Sequence, residues 1–112
     1  MESILISIKK MLGMSENYEA FDSDLIMHIN SVFMILNQLG VGPEECYSIQ
    51  DKSDIWTDFI EESKVELVKS YIYLKVRLLF DPPTSSAVID SINRMISEFE
   101  WRLYVASDEE EV

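Results

Sequence analysis

Apolar residues recur along this chain at three- and four-residue intervals and nowhere alternate with polar ones over the length of a strand. The spacing predicts four main helices. The first runs from about Ser3 to Leu12, with Ile4, Leu5, Ile8, Met11 and Leu12 on one face. Lys9 and Lys10 sit in its last turn, and Gly13 follows where a left-handed cap is expected. The second runs from about Ser23 to Leu39. Asp22 is the expected N-cap, and Phe21 is placed to staple onto Ile26. Its stripe of Leu25, Ile26, Ile29, Val32, Phe33, Leu36 and Leu39 is widened by Met27, Met34 and Ile35, which predicts a central helix. Gly40-Val41-Gly42-Pro43 ends it, and residues 44–53 read as a loop.

A third helical region spans about Asp54 to Phe80 and reads as two pieces. Ile55, Trp56, Phe59 and Ile60 give a short amphipathic start. Ser63-Lys64-Val65-Glu66 then has the form of a capping box that restarts the helix. From Val65 onward there are two apolar rows. One is Leu67, Tyr71, Leu74 and Leu78; the other is Val68, Ile72 and Leu79, with Val76 beside it. A helix apolar on so many sides is either deeply buried or shared with a neighbouring subunit. Asp81-Pro82-Pro83 stops it, and Thr84, Ser85 and Ser86 are N-cap candidates for a last helix reaching about Tyr104. Ile89, Ile92, Ile96, Phe99 and Leu103 form its stripe. The predicted fold is all-α: a bundle of four main helices over residues 1–104 and a disordered acidic C-terminal tail over 105–112.

At 112 residues the chain has room for one domain and one core. Nine Lys and Arg stand against 21 Asp and Glu, a net charge of −12. That balance excludes a general nucleic-acid-binding domain, which needs a basic face, and it disfavours an anionic membrane surface. One cysteine precludes an internal disulfide. No apolar run approaches the roughly 18 residues that span a bilayer, and Met1-Glu2-Ser3 lacks a signal peptide's basic flank. The expected setting is the cytosol, or an assembly formed there.

Catalysis is not predicted. His28 is the only histidine and lies beside an apolar stripe. Cys46 follows Glu44-Glu45, whose carboxylates would raise a thiol's pKa and blunt it as a nucleophile. Glu61, Glu62 and Glu66, like Asp22 and Asp24, read as solvated faces, because a di-iron bundle needs two Glu-x-x-His pairs. No metal or cofactor is expected. Trp56 and Trp101 are candidates either for core edges or for interfaces. Tyr71 and Tyr73 point about 200° apart on a helix, so both cannot face one core, and one is expected to face a partner.

The run Val68-Lys69-Ser70-Tyr71-Ile72-Tyr73-Leu74-Lys75-Val76-Arg77-Leu78-Leu79-Phe80-Asp81-Pro82-Pro83-Thr84-Ser85-Ser86-Ala87 resembles the head–tail connector (adaptor) proteins of tailed bacteriophages. So do Glu98-Phe99-Glu100-Trp101-Arg102-Leu103, Ile26-Met27-His28-Ile29-Asn30-Ser31-Val32-Phe33 and Leu36-Asn37-Gln38-Leu39-Gly40-Val41-Gly42. The likeness covers most of the chain, and helix–Asp-Pro-Pro–helix is its most specific part.

The resemblance implies a helical protein without enzymatic activity or cofactor. It implies a homo-oligomeric ring of about a dozen copies beneath the portal protein, where the ring extends the DNA channel and carries the stopper or tail-completion protein. Such a protein belongs to the virion, at the head–tail interface, after assembly in the host bacterial cytoplasm. Candidate subunit or portal contacts are Tyr71, Tyr73, Asp81, Pro82, Pro83, Trp101, Asp108, Glu109, Glu110 and Glu111. The segment from about Tyr104 onward is the candidate for reaching a basic groove on the portal. An acidic lumen repels phosphate, so DNA would pass without specific binding. The alternative is an acidic DNA-mimic inhibitor of a DNA-binding enzyme.

Overall fold

The computed structural model describes residues 2–110, with side chains through residue 106. Five α-helices follow one another: α1 (Ile4–Met11), α2 (Asp22–Gln38), α3 (Trp56–Phe59), α4 (Val65–Phe80) and α5 (Ser86–Glu110). A 3-10 turn, Glu62–Lys64, precedes α4. There is no strand among the described residues, only one isolated bridge between Ser3 and Ile55. The all-α class is as the apolar spacing predicts.

Local signals set most helix ends. Ser3 caps α1, its Oγ accepting from the Ile6 amide at 3.2 Å. Gly13 follows α1 with φ +82°, a conformation that a Cβ would strain. The prolines stop α4 at Phe80, and Ser85 accepts from the Val88 amide at the start of α5.

Two predicted caps are absent. Asp22 is the first residue of α2, and its carboxylate takes the ammonium of Lys9 at 2.9 Å instead of capping. Phe21 packs edge-on against Tyr18 and Phe80. Ahead of α4 the chain does break, but through the 3-10 turn. Lys64 precedes the helix without a side-chain cap, and Glu66 pairs with Lys69. α5 continues beyond Tyr104 to Glu110, so the tail segment from residue 105 overlaps its last turns; residues 111–112 lie outside the described residues.

The central helix is α4, not α2 as the width of the α2 stripe suggests. α4 packs against α1, α2 and α5. Val68, Ile72 and Val76 on one row and Tyr71 and Leu74 on the other are all buried. Two rows on one helix require neighbours on two sides, and the subunit itself supplies them. On α2 the widening residues Met27 and Met34 point outward instead.

The bundle is fastened by contacts between distant parts of the chain. Lys9, 1% exposed, donates from Nζ to the Glu16 and Tyr18 carbonyls and to Asp22. A buried ammonium persists only when it is paired and hydrogen-bonded in this way. Asn30 makes a two-way bond with the Ile49 backbone, pinning the loop to α2. Lys69 reaches Glu2 at 2.6 Å and holds its carboxyl below the ordinary carboxylate range.

Candidate interaction surfaces

Each candidate residue is positioned by its helix. Tyr71 is fully buried, and its hydroxyl donates to Glu100 on α5 at 2.7 Å. Within the subunit it therefore bonds α4 to α5. Burial and the Glu100 carboxylate together push its phenol well above the usual range. Tyr73 is half-buried, and its hydroxyl accepts from the Arg77 guanidinium at 3.1 Å. Asp81 and Pro82 are exposed and Pro83 half-buried at the turn between α4 and α5. Asp108, Glu109 and Glu110 fall in the last turn of α5, beyond the described side chains, and Glu111 lies outside the described residues.

The two tryptophans divide. Trp56 is 2% exposed and donates from its indole to Ser7 Oγ at 3.0 Å, which satisfies a buried donor. Trp101 is 65% exposed. It follows Ile92 by nine residues, about half a turn off at 100° per residue, so it points away from the face that Ile92, Ile96 and Leu103 bury. Tyr104, three residues on, is also exposed, and Glu98 and Arg102 pair beside it at 2.7 Å.

A second apolar surface lies on α2. Met27 and Met34, seven residues apart, share its outer face and are each more than half exposed. Between Leu25 and Gln38 the only titratable residue is His28, so this face carries almost no charge on a chain of −12. Beside it, a groove of about 230 Å³ opens between α2 and α4, lined by Ser31, Val32, Ile35, Lys75, Leu78 and Leu79. The apolar spacing of α2 places Met27 and Met34 at the edges of its stripe, whereas the fold turns both outward. Their seven-residue spacing alongside Ser23, Asn30 and Ser31 was the signal that they share the polar side.

His28 and Cys46, the two residues weighed for catalysis, lie on different parts of the fold. His28 is half-buried with its ring near Phe80, and Cys46 is an exposed thiol with the Tyr47 carbonyl at 3.8 Å. Among the described residues no three His, Cys, Asp or Glu side chains gather as metal ligands, and no helix is long and apolar enough to cross a membrane.

Exposed apolar side chains thus lie on both α2 and α5, and α4 packs against each of these helices. A family model described as phage connector protein matches residues 4–110. No curated protein and no solved structure matches the chain.

Proposed function

The chain belongs to the phage connector protein family, and from that premise we propose that it is a structural virion component whose copies close into a ring at the head–tail joint. The observation that carries the reading is the pair of unlike apolar surfaces. One is the outward face of α5 with Trp101 and Tyr104; the other is the outer face of α2 with Met27 and Met34. Two different faces on one subunit make a head-to-tail contact, and such contacts generate a closed ring when the rotation per step closes. Exposed aromatic and methionine side chains are the types enriched at such contacts.

In this reading about a dozen copies sit under the portal protein and carry the stopper or tail-completion protein. The acidic balance keeps phosphate from sticking, so DNA passes without being held. The tail over 105–112 docks on a basic groove of the portal, and Asp81-Pro82-Pro83 and Tyr73 contribute to subunit or portal contacts. No catalysis is assigned to the chain. The DNA-mimic alternative draws on charge alone; an uncharged methionine face and an outward tryptophan do not imitate a phosphate ladder.

The test is sedimentation of the full chain, alone and mixed with portal rings of the phage that encodes it. The wild type is expected to join the portal as a ring, and Trp101→Ala and Met34→Glu to stay folded and remain single. Deleting 107–112 is expected to leave the fold intact and weaken portal docking. A wild-type chain that stays solitary with portal and capsid components present would overturn the reading.

A further inference from the structure

Where α2 begins and α4 stops, one end of the bundle carries a row of rings. Tyr18 meets Phe21 at 5.8 Å between centroids, Phe21 meets Phe80 at 5.4 Å, and Phe80 meets His28 at 6.4 Å, each edge-on. Tyr18 is 50% and Phe21 40% exposed. The row joins residues 18–28 to Phe80 at the end of α4, so it exists only in the fold. Its flanks are acidic: Glu19 adjoins Tyr18, Asp24 follows Phe21 by three residues, and Asp81 adjoins Phe80. All three are exposed, and none forms an ion pair among the described residues. Of the nearby cations, Lys9 is buried and committed to Asp22, and Arg77, which lines one cavity with Asp81, is bonded to Tyr73.

We propose that this ring row is a docking site for an extended segment of another protein that presents arginine side chains. Ring faces attract cations, and a guanidinium does this best where it can lie flat on an aromatic face while its edge bonds a carboxylate. Tyr18, Phe21 and Phe80 supply the faces; Glu19, Asp24 and Asp81 supply the carboxylates. Charge selects the occupant. A nucleic acid is repelled by the rim, and a second copy is a poor source of guanidinium. This chain has three arginines, of which Arg77 is bonded to Tyr73 and Arg102 to Glu98.

The site is also preorganised. Lys9 bonds the carbonyls of Glu16 and Tyr18, which holds the segment bearing the first ring before any partner arrives. Lys9 is in this sense a positioning residue. The surface adjoins the α2 face at Asp24 and His28, but its three rings, Tyr18, Phe21 and Phe80, are not among the residues assigned to ring closure, so either assignment can fail without the other.

The experiment titrates the full chain with a doubly capped Gly-Arg-Gly-Arg-Gly peptide. It follows the ring resonances of Tyr18, Phe21 and Phe80 by NMR. The control peptide carries citrulline, which keeps the planar head and loses the charge. Binding centred on the three rings, at least about fivefold tighter than for citrulline, is expected. Tyr18→Ser and Phe21→Ser should each weaken it about two- to fivefold, and Trp101→Ser should not. Tyr18, half in solvent, is the safer variant should Phe21→Ser disturb the fold. Shifts centred on α5 or on residues 44–54, equal affinity for citrulline, or unchanged affinity in the folded Tyr18→Ser variant would overturn the proposal.

Discussion

Gly42 and Gly13 form a matched pair that tests how the core is locked. Both adopt positive φ, +88° and +82°. A Cβ on Gly13 would meet nothing within 4 Å, whereas one on Gly42 would press into the Phe59 ring, with Cζ at 2.9 Å and Cδ1 at 3.1 Å. That ring is held on two sides and open on another: Phe59 is 4% exposed and packs against Phe33 at 4.6 Å and Tyr47 at 5.3 Å between centroids, and with Gly42 it borders a cavity of about 230 Å³. Alanine at either site incurs the left-handed backbone penalty of about 1–2 kcal/mol. Gly42→Ala adds overpacking of about 1–3 kcal/mol. Gly13→Ala should therefore lose about 1–2 kcal/mol and Gly42→Ala about 2–5 kcal/mol. Urea unfolding with a common slope measures both. In a Phe59→Leu background the excess at Gly42 should shrink while the Gly13 value stays put, because only the first depends on that ring. Equal losses for the two alanines, within about 0.5 kcal/mol, would refute the packing argument and leave backbone strain alone.

Three further outcomes are expected. Tyr71→Phe removes a bond to a carboxylate and should lower stability by about 1.5–3 kcal/mol in thermal or urea melts. The phenol's pKa is raised by the fold above its ordinary 10.0, so its contribution is intact below pH 10 and is lost as pH rises further; the variant should unfold less steeply with alkali than the wild type. Lys9→Met leaves two carbonyls and a partly buried carboxylate without their donor and should lose about 2–4 kcal/mol, with faster amide exchange at residues 16–22 as the local signature. Trp101→Ala should change stability by less than about 0.5 kcal/mol, because the side chain is mostly in water, while removing ring formation on portal rings in sedimentation.

The outline of the fold was legible because its signals are local. Ser3, Gly13 and Asp81-Pro82-Pro83 act on the φ and ψ of their own neighbourhood, and helical spacing needs no knowledge of what the helix meets. The same locality explains the misplacements. Asp22 is a good capping residue by type, but a lysine 13 positions earlier claims its carboxylate. Tyr71 is buried with its apolar row, but the acceptor that satisfies its hydroxyl, Glu100, is 29 positions later and only the fold brings it within reach. Trp56 finds its acceptor 49 positions away on Ser7, whereas Trp101 ends on the outward face of α5.

The amino-acid order alone thus determined that the chain is helical, where most helices stop, and that its acidity suits neither a nucleic-acid grip nor an anionic membrane. Packing alone decided that α4 rather than α2 is enclosed, that Met27, Met34 and Trp101 face water, and that Tyr18, Phe21 and Phe80 meet in one row. The division has a physical cause. Backbone preference is a property of a few consecutive residues, whereas burial is a property of surfaces that meet only after distant segments have come together.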